Sequence, residues 1–258
     1  MDAASLVIPE WPDAPANIGA LATTRAGGVS LAPYDDGHGG GGLNLGLHVN
    51  DAPQAVAANR ARLQTLLPGR PAWISQVHGN GVVDAATVHA DGPTRVGDAS
   101  IAVQPGVVCA ILTADCLPVL FADSGGKVVG AAHAGWRGLA GGVLGETVKA
   151  MRAAGAGEIT AWMGPAIGPT AFEVGQDVFD SFAAALPGVD VGFAFRRHPD
   201  NASKYLADMF ALARLMLERD GIGSIAGGIH CTATERERFY SYRRDGVTGR
   251  QASLIWLK

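Results

Sequence analysis

Apolar residues in this chain recur as short unbroken runs more often than as helical stripes. Residues 107–112, 118–122 and 127–132 are almost wholly Val, Leu, Ile, Ala and Phe, and the turns between them are Ala114-Asp115-Cys116 and Ser124-Gly125-Gly126. Runs of this length bounded by turn residues predict strands buried in the middle of a sheet. Residues 18–24, 72–77, 82–86, 159–163, 225–229 and 254–257 read as further strands, with 72–77 and 82–86 flanking the turn His78-Gly79-Asn80-Gly81.

Helical spacing is rarer. Residues 55–67 carry it after Asp51-Ala52-Pro53, which reads as an N-cap with an early proline, and Pro68-Gly69 ends it. Residues 136–154 and 203–220 show the same period, and 176–186 predicts a shorter helix. Residues 24–30 read as a loop, and the Gly-rich tract 34–42, with His38 inside it, as a mobile one. Strands and helices are mixed along the chain, with no internal repeat and no linker-like stretch. The expectation is an α+β fold, one domain over residues 1–258, with mixed β-sheets flanked by helices in a layered α/β sandwich.

Composition narrows the function. With 48% hydrophobic and 17% charged residues, the chain buries a substantial core and is not disordered. A net charge of -4 and the lack of any long basic run argue against nucleic acid as a partner and leave small molecules as the default substrates. Three cysteines, Cys109, Cys116 and Cys231, are too few and too odd in number for a disulfide framework. Residues 1–15 show no basic stretch leading into an apolar one, and no run is long enough to span a membrane, so a cytoplasmic protein is expected.

The densest candidate chemistry lies in three segments: Ser75-Gln76-Val77-His78-Gly79, Thr113-Ala114-Asp115-Cys116-Leu117-Pro118, and Ala131-Ala132-His133-Ala134-Gly135-Trp136-Arg137-Gly138. Each sets a metal-capable side chain where a predicted strand gives way to a turn. Two imidazoles and a thiolate suit zinc, and three protein ligands leave a fourth position for water or substrate. Taken singly, a Cys in an apolar segment is a small buried hydrophobe and a His a hydrogen-bonded turn residue. Spacing leaves both readings open, because no Cys-x-x-Cys or His-x-x-x-His pair anchors the metal.

These segments resemble those of the laccase-domain family, also called YfiH-type or polyphenol-oxidase-like, whose members are regarded as purine nucleoside phosphorylases. The resemblance continues through Thr24-Arg25-Ala26-Gly27-Gly28-Val29-Ser30, Leu43-Asn44-Leu45-Gly46 with His48, and Gly164-Pro165-Ala166-Ile167-Gly168-Pro169. It closes with Cys231-Thr232, Phe239-Tyr240-Ser241-Tyr242-Arg243-Arg244-Asp245-Gly246 and Thr248-Gly249-Arg250-Gln251-Ala252, so it spans nearly the whole chain. It implies a catalytic zinc site on His78, Cys116 and His133, with copper as the other metal the set accepts. It also implies phosphorolysis of adenosine, inosine, guanosine and methylthioadenosine, and hydrolytic deamination of adenosine.

Phosphorolysis needs an anion clamp, for which Arg25 among its glycines leads, with Asn44 and His48 next. Arg25 reads equally as an ion-pair residue and His48 as a polar residue beside a helix. Arg243 and Arg244 read as a solvated face with at most one member turned inward, and Cys231 as a structural thiol. Asp115 reads as a ligand-orienting group or a turn cap, and Trp136 and Phe239 as purine platforms or core. Three competing functions remain, one of them a non-catalytic binding module. Copper-dependent phenol oxidation asks for many imidazoles, and the chain has seven, no two separated by a single residue. A thiol hydrolase or amidase would use Cys116 as nucleophile, His133 as base and His78 as an orienting group, a chemistry that fits the role in editing peptidoglycan precursors which the resemblance also brings in.

Overall fold

The computed structural model describes residues 5–89 and 91–258; residues 1–4, the start of the stretch read above for a leader, lie outside it. Among the described residues fifteen strands follow in chain order: β1 Leu6–Val7, β2 Ile18–Thr23, β3 Ala26–Ser30, β4 Pro71–Trp73, β5 Val82–Asp84, β6 Ala99–Ala102, β7 Val108–Thr113, β8 Leu117–Asp123, β9 Val129–Ala134, β10 Ile159–Met163, β11 Glu173–Val174, β12 Phe195–His198, β13 Asn201–Ala207, β14 Ile225–Gly227 and β15 Gln251–Leu257. Six α-helices, α1 Pro53–Gln64, α2 Trp136–Ala140, α3 Val143–Ala153, α4 Gln176–Ala185, α5 Met209–Arg219 and α6 Tyr242–Asp245, complete the α+β architecture.

The strands form a five-stranded sheet of order β1-β2-β15-β7-β4, a six-stranded sheet of order β14-β10-β8-β9-β6-β5, and a small sheet β11-β13-β12. The two large sheets are mixed: β15 runs antiparallel to β7 while β4 runs parallel to it, and β8 runs antiparallel to β9 while β5 runs parallel to β6. The period of two explains why the central strands are apolar throughout. In β7, Cys109 and Ile111 face the layer between the large sheets, whereas Val108, Ala110 and Leu112 face the layer under α1. In β8, Leu120 and Ala122 enter the inter-sheet layer, and Leu117, Val119 and Phe121 face the helical layer. Each fully buried Leu, Ile or Phe contributes roughly 1.5–3 kcal/mol, so both faces of these strands hold the sandwich together.

Five sequence expectations need correction. The strands read around the His78 turn are shorter than 72–77 and 82–86, and β4 and β5 belong to different large sheets, so the segment between them carries the chain from one sheet to the other. Residues 203–207 are strand, because β13 pairs with both β11 and β12, and the helix starts only after Asp208, whose carboxylate accepts the Ala211 N–H at 3.0 Å. The 136–154 helix is broken at Gly141-Gly142, where Gly142 has φ of 85°, a conformation that favours glycine. Asp51 does not cap α1; its carboxylate binds Ser30, Asn44 and the Ala52 N–H, and Ala52 occupies the cap position. Finally, residues 26–30 form strand β3, which bridges to Gly42.

A candidate metal centre at the sheet crossings

His78, Cys116 and His133 come together where the chain passes between the two large sheets. Cys116 closes the turn from β7 of one sheet to β8 of the other, and His78 lies on the β4 to β5 crossing. His133, in β9, is the register partner of Pro118 in β8, so the Cys116 turn and the end of β9 are adjacent. Gln76 ties the His78 segment to β7 like an extra rung: its side-chain amide donates to the Leu112 carbonyl at 2.8 Å and its oxygen accepts the Leu112 N–H at 2.9 Å.

The potential ligand atoms of the three side chains lie within 4.8 Å of one another, with Cys116 Sγ 3.7 Å from His78 Nε2. His133 is buried, Cys116 half-buried and His78 exposed, so the cluster opens on the His78 side. Asp98, which the sequence reading missed, organises it. Its carboxylate accepts the backbone N–H groups of Val77, His78 and Gly79 at 3.2, 2.9 and 2.7 Å. That convergence needs the left-handed backbone of His78, φ 61°, a conformation uncommon outside glycine and held here by the carboxylate. The same carboxylate accepts the His133 Nδ1–H at 2.8 Å, so Nε2 is the ring nitrogen that would ligate a metal once its proton is displaced.

Burial raises the Asp98 carboxyl, but its bonds to His133 and to the Gly79 and Val77 amides outweigh that and hold it below the usual range. Burial likewise penalises the His133 cation, yet Asp98 and then Cys116 raise it to about 9. The Cys116 thiol, which burial alone would push up, is brought down to about 6 by His133 and His78. A thiolate and two oriented imidazoles are the donor set of a three-ligand metal site. Gly135 makes the cradle: a Cβ there would stand 2.8 Å from His78 Cδ2 and 3.1 Å from Cys116 Sγ. Among the described residues no other group of three such side chains gathers.

The remaining sequence candidates divide. Arg25 is buried and turned inward: Nε donates to the Asp35 carbonyl, Nη1 to the Arg236 carbonyl and Nη2 to the Asp35 carboxylate, with Tyr240 beneath the guanidinium. Its Nη2 pairs with the Asp35 carboxylate at 3.2 Å. Asn44 is fully buried and its amide saturated, donating to the Gly46 carbonyl and Asp51 and accepting the Gly46 and Arg250 N–H groups. These bonds tie the loop 44–46 to Asp51 and Arg250. His48 is exposed, and burial of its ring, then Arg250 and Arg60, disfavour its cation.

Asp115, with φ of 94°, does not cap its own turn but accepts the Thr232 hydroxyl and the Arg243 N–H, both at 2.6 Å. Arg244 is the inward member of its pair, bonding the carbonyls of Thr232, Ala233 and Phe239. Cys231 Sγ accepts the Gly168 N–H at 3.1 Å and is not one of the clustered side chains. Phe239 is fully buried in the inter-sheet layer and is no platform, and Trp136 packs against the helical core beneath Arg137.

A metal-type centre built at sheet crossings of an α+β sandwich is what the fold and site define. Residues 19–258 match the family described as multi-copper polyphenol oxidoreductase laccase, and the chain belongs to this laccase-domain family. It is 50% identical to purine nucleoside phosphorylase PA4543 of Pseudomonas aeruginosa, over 97% of both chains. It is 49% identical to purine nucleoside phosphorylase YfiH of Escherichia coli, over 98% of both. Among solved structures, Neisseria meningitidis protein NMB0706 superposes with a TM-score of 0.88 at 49% identity, covering 98% of this chain and 99% of that one. YlmD from Geobacillus stearothermophilus gives 0.88 at 32% identity, covering 100% and 98%. No helix among the described residues is long and apolar enough to cross a membrane.

Proposed function

We propose that this chain is a zinc-dependent purine nucleoside phosphorylase, a single-domain cytoplasmic enzyme acting at the His78, Cys116 and His133 centre. The observation that carries the reading is the Asp98-organised cluster, supported by the names of relatives that match the chain along almost its full length. The substrates are purine nucleosides of broad range, adenosine, inosine, guanosine and methylthioadenosine, together with inorganic phosphate. Deamination of adenosine by water is a second reaction of the same site.

In phosphorolysis a phosphate oxygen forms a bond to C1′ of the ribose as the C1′–N9 bond breaks. The base leaves with the electron pair and takes up a proton, giving free base and ribose 1-phosphate. When bound, zinc in a three-ligand site supplies Lewis-acid polarisation of an oxygen at its open position. The protein's own contribution is positional. Asp98 fixes the His133 tautomer and wraps the His78 backbone, His133 and His78 hold Cys116 as thiolate, and Gly135 leaves the space between them.

The donor set accepts copper as well, but multicopper oxidation needs several ligand clusters and one gathers among the described residues. A thiol hydrolase would use His78 only to orient the Cys116–His133 pair, whereas a three-ligand site uses all three side chains as donors. The test is metal analysis of the purified protein with a product assay on inosine and adenosine, with and without phosphate. Bound zinc and phosphate-dependent release of base with ribose 1-phosphate are expected. Release that ignores phosphate, or that persists in metal-free protein, would overturn the reading.

A further inference from the structure

A guanidinium binds phosphate through charge-assisted, two-pronged bonds, and the cation singled out by the sequence, Arg25, is already paired with Asp35. Arg250 is differently placed. It directly precedes β15, whose Gln251 is the register partner of Thr113 at the end of β7, so the fold sets Arg250 beside the turn that carries Cys116. Its backbone N–H donates to Asn44 Oδ1 at 2.9 Å, which pins it to the loop leading to His48. Gly46 seats its stem, since a Cβ there would lie 2.7 Å from Arg250 Cγ.

The guanidinium is left without a counter-ion of its own. Nη1 donates to the carbonyls of Thr248 and Gly249, both in its own turn, at 3.1 and 3.0 Å. Among the described residues no carboxylate bonds Arg250, and Nε and Nη2 have no protein partner. Burial opposes its charge, and of the groups that favour that charge Cys116 stands first and Asp115 next. Asp115 is already bonded by Thr232 and the Arg243 N–H. Arg60, tied to the Leu45 carbonyl and lying over Trp73, shares with Arg250 the nearby His48, whose cation both disfavour. An unpaired fork of N–H donors beside the metal-type centre matches a phosphate, which guanidinium binds through two parallel bonds.

We propose that Arg250 is the phosphate-binding residue of this enzyme, with Asn44 positioning it and Arg25 serving the fold. The proposal rests on the phosphorylase reading for its substrate, but phosphate binding can be measured apart from turnover.

The experiment is calorimetric titration of metal-loaded protein with inorganic phosphate, with KM for phosphate and for inosine, on wild type, Arg250→Gln, Arg250→Lys and Arg25→Gln. Losing a charge-assisted contact should weaken phosphate binding and raise KM for phosphate by about tenfold or more in Arg250→Gln, with KM for inosine within about twofold. Arg250→Lys, which keeps the charge but not the fork, should fall between, and Arg25→Gln should keep the wild-type phosphate KM at a lowered Tm.

Wild-type phosphate affinity in Arg250→Gln overturns the proposal, as does a wild type that binds no phosphate. Phosphate-dependent release of base that Arg250→Gln leaves unchanged sinks the Arg250 assignment alone. Phosphate binding lost in Arg250→Gln, with a wild type that releases no base, sinks the phosphorylase reading and leaves the Arg250 site standing. If Arg250→Gln does not fold, Arg250→Lys decides, and an unchanged phosphate affinity there counts against the assignment.

Discussion

Asp98 and His133 are joined twice: the carboxylate accepts the imidazole Nδ1–H at 2.8 Å, and the Asp98 carbonyl accepts the His133 backbone N–H at 2.6 Å. Side chain and backbone of one strand end are thus locked to the other, and the three amides around His78 close on the same carboxylate.

Asp98→Asn should therefore weaken metal binding without emptying the site. The ring loses its charged acceptor, and an amide group cannot accept from three N–H groups and an imidazole as a carboxylate does. Loss of such an orienting partner lowers metal affinity by about 10–100-fold. Competition with a chromogenic chelator measures this, and an unchanged affinity would remove Asp98 from the design of the site.

Gly135→Ala tests the cradle. The Gly135 backbone, φ -60° and ψ 153°, is one that alanine adopts freely, so strain cannot explain an effect. The new Cβ would press on His78 Cδ2 at 2.8 Å and Cys116 Sγ at 3.1 Å. The expected variant folds with a metal-free Tm close to that of wild type but retains little zinc. Full metal content in Gly135→Ala would show that the cluster opens without cost.

The cysteines should report the site by their reactivity. In metal-free protein the Cys116 thiol, lowered to about 6 by its two imidazoles, is mostly thiolate at neutral pH, so its alkylation rate should level off above that value and fall as pH drops through it. Cys109 is fully buried and pushed up to about 12, and should stay unmodified in the native fold. In zinc-loaded protein Cys116 should react slowly, and activity lost on chelation should return with zinc. Activity that survives chelation and dies on alkylation would turn the assignment to the thiol hydrolase.

Asp208 offers a test of the fold at a distance from the chemistry. Its carboxylate caps α5 through the Ala211 N–H, so Asp208→Ala should cost about 1 kcal/mol. For a chain of this size that is a Tm lower by about 2–4 °C. Zinc content and phosphate KM should not change.

The apolar runs at 107–112, 118–122 and 127–132 identified β7, β8 and β9 within two residues at each end, because strands buried on both faces leave no polar alternation to misread. The metal-capable residues were legible for a related reason: a His or Cys at a strand end stands out against such runs. Residues 203–207 were not legible, since Tyr205, Leu206 and Ala207 fit the helical period of α5 as well as a strand, and pairing with β11 and β12 decided between them.

Asp98 and Arg250 did not stand out in the sequence, for the same physical cause. A single Asp ahead of a four-residue strand, or an Arg in a Thr-Gly-Arg turn, carries no period and no spacing. Its meaning lies in which amide, imidazole or counter-charge the fold brings within about 3 Å. The chain's own pattern determined the buried strands and the side chains able to hold a metal. Only the packing of two sheets, with the chain crossing between them at His78 and at Cys116, decided that His78, Cys116 and His133 meet, that Asp98 bonds His133 and the His78 backbone, and that Arg25 has a carboxylate partner while Arg250 has none among the described residues.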